Sequence, residues 1–419
     1  ANRRLVSLNQ LRNTIDLRQA NTQLVLRHLC FNGPMSRIDL SQQTKLSPST
    51  LTNVTSELLQ NGILIETDLE KSAGGRPRAI LDFNPNYGYF IGIDLGETQV
   101  ALELFDLKLN RLCSMQEPIT EDQNILDNYI CIIQRGCEHL IENCGISPDP
   151  ILGVGIGVPG IVEHSGQVSV AAPMWSWQSL PALERIEQAI NLPVYIDNGA
   201  KAMALAESWF GAGRGVQDMA VILIGTGIGA GIITKGVLYR GATNSAGEWG
   251  HTKVTLHGRV CRCGSQGCLE AYVGAPGIMA SLRELGMQLP DDQFEAIDSF
   301  LAAYRTNEPA ALQVMDETLE ILGLGLVNLV NLFNPERIAI GGWAGLKIAE
   351  AGLEPLTDYV KRNALPPSAK DLVIEKCQFG EDAICTGAAC LVLGQFLSGN
   401  SKFYGGAYKR QPLSMTTLD

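Results

Sequence analysis

Near residue 88 the hydrophobic pattern of this 419-residue chain changes period, and that change limits the folds open to it more than any other feature. Before it, "NTQLVLRHLCFNG", "SRIDLSQQTKL" and "SPSTLTNVTSELLQNG" carry apolar residues at helical spacing, punctuated by Gly, Pro or a Ser cap. Ser47 followed by Pro48 is a start signal, because the hydroxyl caps free amides while proline fills the first turn. Leu51, Val54 and Leu58 then form an inward stripe, which leaves the short polar side chains of Ser49, Thr50, Thr52, Asn53 and Ser56 outside. After Gly62, "ILIETDLEK" and "RAILDFNP" read as two strands joined by "SAGGRP". Three helices and a hairpin make the winged variant of the helix-turn-helix. The alternative is a small helical cap packed on a larger domain.

Beyond residue 88, strands and helices alternate. "YFIGIDLGETQVALELFD" and "MAVILIGTGIGAGIIT" read as hairpins, "ILGVGIGVPGIV" as strand and turn, and "RIAIGG" as a late strand, with long helical stretches between them. Two mixed α/β lobes are the natural reading. The net charge of -12 argues against a protein coated with basic surface. Yet residues 1–89 hold ten Lys/Arg against seven Asp/Glu, a net of +3 that leaves -15 for the rest. A short module able to face a polyanion, fused to an acidic body, fits that asymmetry. Eleven cysteines, several in apolar context such as Cys131, Cys385 and Cys390, point to reduced core residues. No run reaches the ~18 apolar residues of a membrane helix, so a soluble, cytoplasmic protein without membrane insertion is expected.

Two Gly-rich turns follow strands, "DLGET" at 94–98 and "GTGIGAG" at 225–231, where backbone amides and the Thr98 or Thr226 hydroxyl can approach an anion. The strongest local signal is "GHTKVTLHGRVCRCGSQGCLE", with Cys261, Cys263 and Cys268 on a Gly-rich loop and His251 and His257 upstream. Three thiolates and one imidazole make a closed tetrahedral zinc set. Spacing alone leaves open which histidine completes it. Glu248 and Glu270 flank the loop, as candidate acceptors for sugar hydroxyls or as solvated loop charges.

With these residues in view the chain, over roughly residues 15–395, resembles the ROK family (repressors, open reading frames, kinases), and within it the Mlc/NagC-like repressor branch, whose winged helix the family's sugar kinases lack. "GEWGH" followed by "CRCGSQGCLE" is the most specific element. The resemblance implies one structural zinc per chain on His251, Cys261, Cys263 and Cys268. It implies a sugar pocket lined by Asn198, Glu248, His251 and Glu270. The fold it implies is α/β: an N-terminal winged helix-turn-helix followed by a two-lobed actin-like ATPase, sugar-kinase-like body. The expected borders are 1–84 for the DNA-binding domain with its N-terminal helix, 85–193 plus 390–419 for the smaller lobe, and 194–389 for the larger lobe with the zinc loop.

In the kinases, an "ENDAN" motif supplies the catalytic aspartate, and here that motif reads Asp197, Asn198, Gly199, Ala200, Lys201. Glycine stands at the base position, Glu97 replaces a phosphate-turn glycine, and Met174 replaces a sugar-contacting asparagine. Loss of the base implies a protein that is not an enzyme.

The resemblance further implies that Pro48–Gln60 enters the major groove, with Arg37, Ser47, Ser49, Thr50, Thr52, Asn53 and Ser56 near the DNA. The wing tip "GGRPR" places Arg76 for a narrow A·T-rich minor groove, with Lys71 and Arg78 on phosphates. The expectation is a homodimeric repressor of sugar-uptake or sugar-utilisation genes on a palindromic operator, with pairing into tetramers left open. Its signal is left open among a sugar, a sugar phosphate and docking to a glucose-phosphotransferase IIB domain. The rivals are an ATP-dependent sugar kinase with an accessory DNA-binding module, and a regulator acting through protein contacts alone.

Overall fold

The computed structural model describes residues 14–70, 78–119, 126–147, 150–163, 165–169 and 181–398. Its amino-terminal part is a winged helix: α1 (Thr14–Asn32), β1 (Met35–Ser36), α2 (Arg37–Thr44), α3 (Pro48–Gln60), β2 (Leu64–Glu70) and β3 (Arg78–Phe83). Ser36 and Ser47 cap α2 and α3 by accepting from the amides of Asp39 and Thr50. Leu51, Val54 and Leu58 are buried, as their spacing predicts. The hairpin gains a third, two-residue strand, giving the order β1-β3-β2.

The first lobe contains β4 (Tyr89–Leu95), β5 (Gln99–Asp106), β6 (Arg111–Pro118), α4 (Leu126–Asn143), β7 (Ile151–Val158), the short β8 (Ile161–Val162) and β9 (Val168–Ser169), α5 (Ala182–Ile190) and β10 (Val194–Asn198). Its sheet has the order β10-β7-β4-β5-β6. The antiparallel meander β4-β5-β6 is extended by β7 and β10, each parallel to its neighbour. The second lobe runs through α6 (Gly199–Phe210), β11 (Met219–Ile224), β12 (Ile228–Thr234), β13 (Val237–Leu238), α7 (Glu270–Val273), α8 (Ala275–Glu284), α9 (Gln293–Arg305), α10 (Pro309–Phe333), β14 (Arg337–Gly341), α11 (Trp343–Asn363), α12 (Pro366–Ala369) and β15 (Val373–Lys376). Its sheet order, β13-β12-β11-β14-β15, repeats the first: a meander followed by two parallel strands added on the other side.

Two borders move. Val194–Asn198, assigned above to the larger lobe, is the edge strand of the first sheet, with Asp197 opposite Gly157. The closing helix α13 (Ala383–Leu397) begins before residue 390 and packs on β4, β7 and β10 as well as α6. It lies against backbone: a Cβ on Gly155 would stand 1.8 Å from the Ala388 carbonyl oxygen, and one on Gly92 2.0 Å from that of Cys385.

The winged helix also packs on the body. One core joins Leu26, Leu51, Val54 and Phe83 to Phe90 and Phe105 of the first sheet and to Val392, Leu393 and Phe396 of α13. Phe31 stacks on Phe210 at 5.9 Å and meets Trp209 edge-on at 5.5 Å, both at the end of α6. Nine of the eleven cysteines are free thiols, and Cys113 on β6 is disulfide-bonded to Cys144 beyond α4. Cys131, read from sequence as a core residue, is exposed on α4, whereas Cys385 and Cys390 are buried. No described helix is long and apolar enough to cross a membrane.

Candidate functional site

The donor atoms of His251, Cys261, Cys263 and Cys268 all lie within 4.8 Å of one another. His251 Nδ1 is 3.7 Å from Cys261 Sγ, and Cys263 Sγ is 3.8 Å from Cys268 Sγ. A tetrahedral zinc with bonds of about 2.3 Å to sulfur needs sulfurs about 3.8 Å apart. The donor set therefore fits zinc in both chemistry and spacing. His257, the other candidate, is exposed and stands outside the group. The loop holds this shape through Gly264 and Gly267, both at positive φ, and a Cβ on Gly267 would meet the Thr255 carbonyl oxygen at 1.9 Å. Lys253 Nζ donates to Cys268 Sγ at 2.9 Å, placing a cation beside the thiolates.

Between the lobes lies a cavity of about 600 Å³. The first lobe contributes the 94–99 turn and Asn198; the second contributes Gly199, the 225–229 turn, Glu248, His251, Arg262, Glu270, Phe294 and Trp343. The structure thus brings all four sugar-site candidates to one cleft. Asn198 is largely committed to the fold. Its Oδ1 accepts from the amides of Ala200 and Lys201, capping α6, and its Nδ2 donates to the Gly160 carbonyl at 2.8 Å. Asp197 is buried, ion-paired to Arg240 at 2.5 Å, and absent from the lining. Gly199, at the expected base position, lines the cleft, and an added Cβ there would meet nothing closer than 3.6 Å.

The electrostatics of the cleft are dominated by carboxylates. Burial pushes the Asp94 carboxyl up to about 7. Burial also raises Glu248, against the opposing charges of His251 and Lys201. Glu270 Oε2 accepts from the Ile228 amide at 2.9 Å, in the turn whose amides would otherwise receive an anion. Arg262 crosses the cleft to form an ion pair with Glu97 and lies 3.7 Å from Glu270 Oε1. Although burial opposes its charge, the Glu97 and Glu270 carboxylates outweigh that and keep the guanidinium firmly protonated. Glu97 Oε2 is buried without a hydrogen-bond partner.

Arg262, Phe294 and Trp343 were missed in the sequence. Arg262 sits between two candidate ligands in a turn closed by the Gly264 amide donating to the Cys261 carbonyl, and its reach to Glu97 left no local signal in the sequence. Trp343 directly follows Gly342 at the end of β14, the position of a strand-to-helix turn facing a cleft.

On the winged helix, Ser49, Thr52 and Asn53 are exposed on α3, while Thr50 and Ser56 are half-buried. Ser47 is occupied as the cap and also contacts the Thr50 hydroxyl at 2.8 Å. Arg37 reaches Thr55 Oγ1 at 3.2 Å and Glu66 Oε1 at 2.8 Å, so it braces α3 against the wing. Arg78 is exposed at the start of β3. Lys71, Arg76 and Met174 lie outside the described residues.

A winged reading head on a two-lobed body with a cleft between twin sheets defines a DNA-binding regulator built on a sugar-kinase-like frame. The ROK family profile matches residues 90–395, and the chain belongs to that family. It is similar to the xylose repressor of Caldicellulosiruptor bescii, with 34% identity over 394 residues covering 91% of this chain and 97% of that protein. Among solved structures, it is similar to a ROK family transcriptional regulator described as a homolog of the Escherichia coli Mlc protein: TM-score 0.77, 28% identity, covering 91% of this chain and 97% of that one. A ROK family glucokinase from Streptomyces griseus, in complex with glucose and AMPPNP, matches with TM-score 0.61 and 27% identity over 73% of this chain and 99% of its own.

Proposed function

We propose that the protein is a DNA-binding transcriptional repressor of sugar-uptake or sugar-utilisation genes, whose kinase-like body senses its signal without catalysis. The observation that carries this reading is the pairing of a winged helix, its α3 face exposed, with a cleft whose expected base position is Gly199. Ser49, Thr52 and Asn53 supply short hydrogen-bonding groups for base edges, Thr50 and Ser56 lie at the margin, and Arg78, with Lys71 and Arg76, serves the backbone and minor groove. The zinc set holds His251 and Arg262 on the cleft wall, so the metal is structural. When bound, zinc supplies a rigid tetrahedral anchor for the loop. A sugar is the signal, held by Asn198, Glu248, His251 and Glu270, and the acting form is a homodimer on a palindromic operator.

Retardation of an A·T-rich palindrome is expected to be sequence-selective and to weaken steeply with salt. Asn53→Ala is expected to lose about 1–3 kcal/mol of discrimination at its contacted base. Arg76→Ala should weaken the A·T preference of the flanks. Equal retardation of unrelated DNA would overturn the reading. For catalysis, a coupled assay of ATP consumption over hexoses and pentoses is expected to stay at background, since a general base alone contributes about 10²–10⁴ in rate. Clear turnover, abolished by Glu248→Ala, would make the protein a kinase instead.

A further inference from the structure

The two glycine turns of the cleft are poor hosts for a phosphate. Glu270 already occupies the Ile228 amide in the second glycine turn, and Glu97 in the first turn holds Arg262. An incoming anion would meet Asp94, Glu97, Glu248 and Glu270 with one arginine already shared between two of them. What the second turn offers instead is an aromatic wall. Phe294 and Trp343 lie with ring centroids 4.3 Å apart, and Trp343 presses its Nε1 edge against the first glycine turn residue, so that a Cβ on Gly225 would stand 2.9 Å away. The cleft around it is lined by the carboxyl groups of Asp94, Glu97, Glu248 and Glu270. A flat apolar surface in a carboxylate-lined cleft matches a sugar ring, which has one apolar face and a rim of hydroxyl donors. The cavity of about 600 Å³ sits mid-range for pockets that enclose ligands larger than one pyranose.

We propose that the aromatic wall of Phe294 and Trp343 is a second saccharide subsite, so that the ligand is an uncharged disaccharide. One ring sits at Glu248 and Glu270; the other lies on Trp343. This rests on the sugar-sensing reading above and names the ligand class of the same cleft.

The test is calorimetric titration of the full chain with xylobiose, cellobiose, maltose and chitobiose against xylose, glucose and N-acetylglucosamine, with glucose 6-phosphate and AMPPNP alongside. At least one disaccharide is expected to bind about tenfold or more tighter than its own monosaccharide, and both anions weaker than either. Trp343→Ala should bring the two sugars within about twofold of each other while leaving the monosaccharide affinity unchanged. Phe294→Ala, which removes the ring packed on Trp343, should do the same and covers the case in which Trp343→Ala fails to fold. Glu248→Ala should remove binding of both sugars. If each monosaccharide binds as tightly as its disaccharide, or an anion binds tightest, the second subsite is wrong while a sensing cleft stands. If no saccharide binds, the sugar-sensing reading falls and takes the subsite with it.

Discussion

An alanine at Gly155 is expected to destabilise the body by about 3 kcal/mol or more, at or beyond the upper end for overpacking. At roughly 2 °C per kcal/mol for a large domain, the melting temperature should fall by about 6 °C. The cause is geometric. The new Cβ would lie 1.8 Å from the Ala388 carbonyl oxygen, and a backbone atom cannot step aside by changing rotamer. Relief requires α13 to move off the sheet, and α13 also packs on α6 through Gly387, where a Cβ would stand 1.9 Å from the Ala202 carbonyl oxygen. Gly199→Ala is the matched control. Its Cβ meets nothing closer than 3.6 Å, in the first turn of a helix where alanine is favoured, so stability should stay within about 1 kcal/mol of the parent. Scanning calorimetry of both variants reads the contrast; equal melting of the two would contradict the close seating of α13.

The second large effect is expected at the metal. Cys268→Ala leaves three donors and removes one of the two acceptors of the Lys253 ammonium, the other being Ser265 Oγ. Bound zinc should fall from one per chain to near none. Structural zinc contributes on the order of 10 kcal/mol to small domains that fold around it, which is ample to unfold a loop such as 251–268. His251 and Arg262 then lose their places on the cleft wall, and sugar affinity should drop by about tenfold or more, in line with the effect of loosening groups that orient a site. The winged helix belongs to a different core from the zinc loop, so operator binding should persist. Zinc analysis, sugar titration and operator retardation on one preparation separate these outcomes. A zinc-free variant that binds sugar like the parent would remove the structural role given to the cluster.

Legibility in the sequence follows the range of the interactions. The caps at Ser47 and Pro48, the stripe Leu51, Val54 and Leu58, and the two hairpins are set by near neighbours, and each was readable from spacing. The metal set was readable because its four ligands fall within eighteen residues, although spacing did not choose between His251 and His257. Long-range pairings left no local trace. A buried strand has the same pattern whichever sheet receives it, so Val194–Asn198 was placed in the wrong lobe. Arg37 was expected near the DNA, and its contacts to Thr55 and Glu66 across the winged helix were not legible in the sequence. Arg262 and Glu97 stand 165 residues apart, and only the folded cleft brings them together. Cys131 shows the limit of composition, since an apolar neighbourhood in sequence became an exposed position on an amphipathic helix.

Phe396 of α13 lies within 6.5 Å of Phe83 in the wing and 6.2 Å of Tyr87 beside the first sheet, while the other side of α13 abuts α6, the helix that opens on the cleft at Gly199. The reading head is therefore not a passenger on a tether. In the proposed dimer its orientation is inherited from the body, and the two heads must match half-sites about one helical turn, or 34–36 Å, apart. A ligand that tilts α6 against α13 need not touch any DNA-contacting side chain to release the operator. In the proposed dimer such a tilt would change the span between the two heads, as a caliper is reset from the far end of its lever.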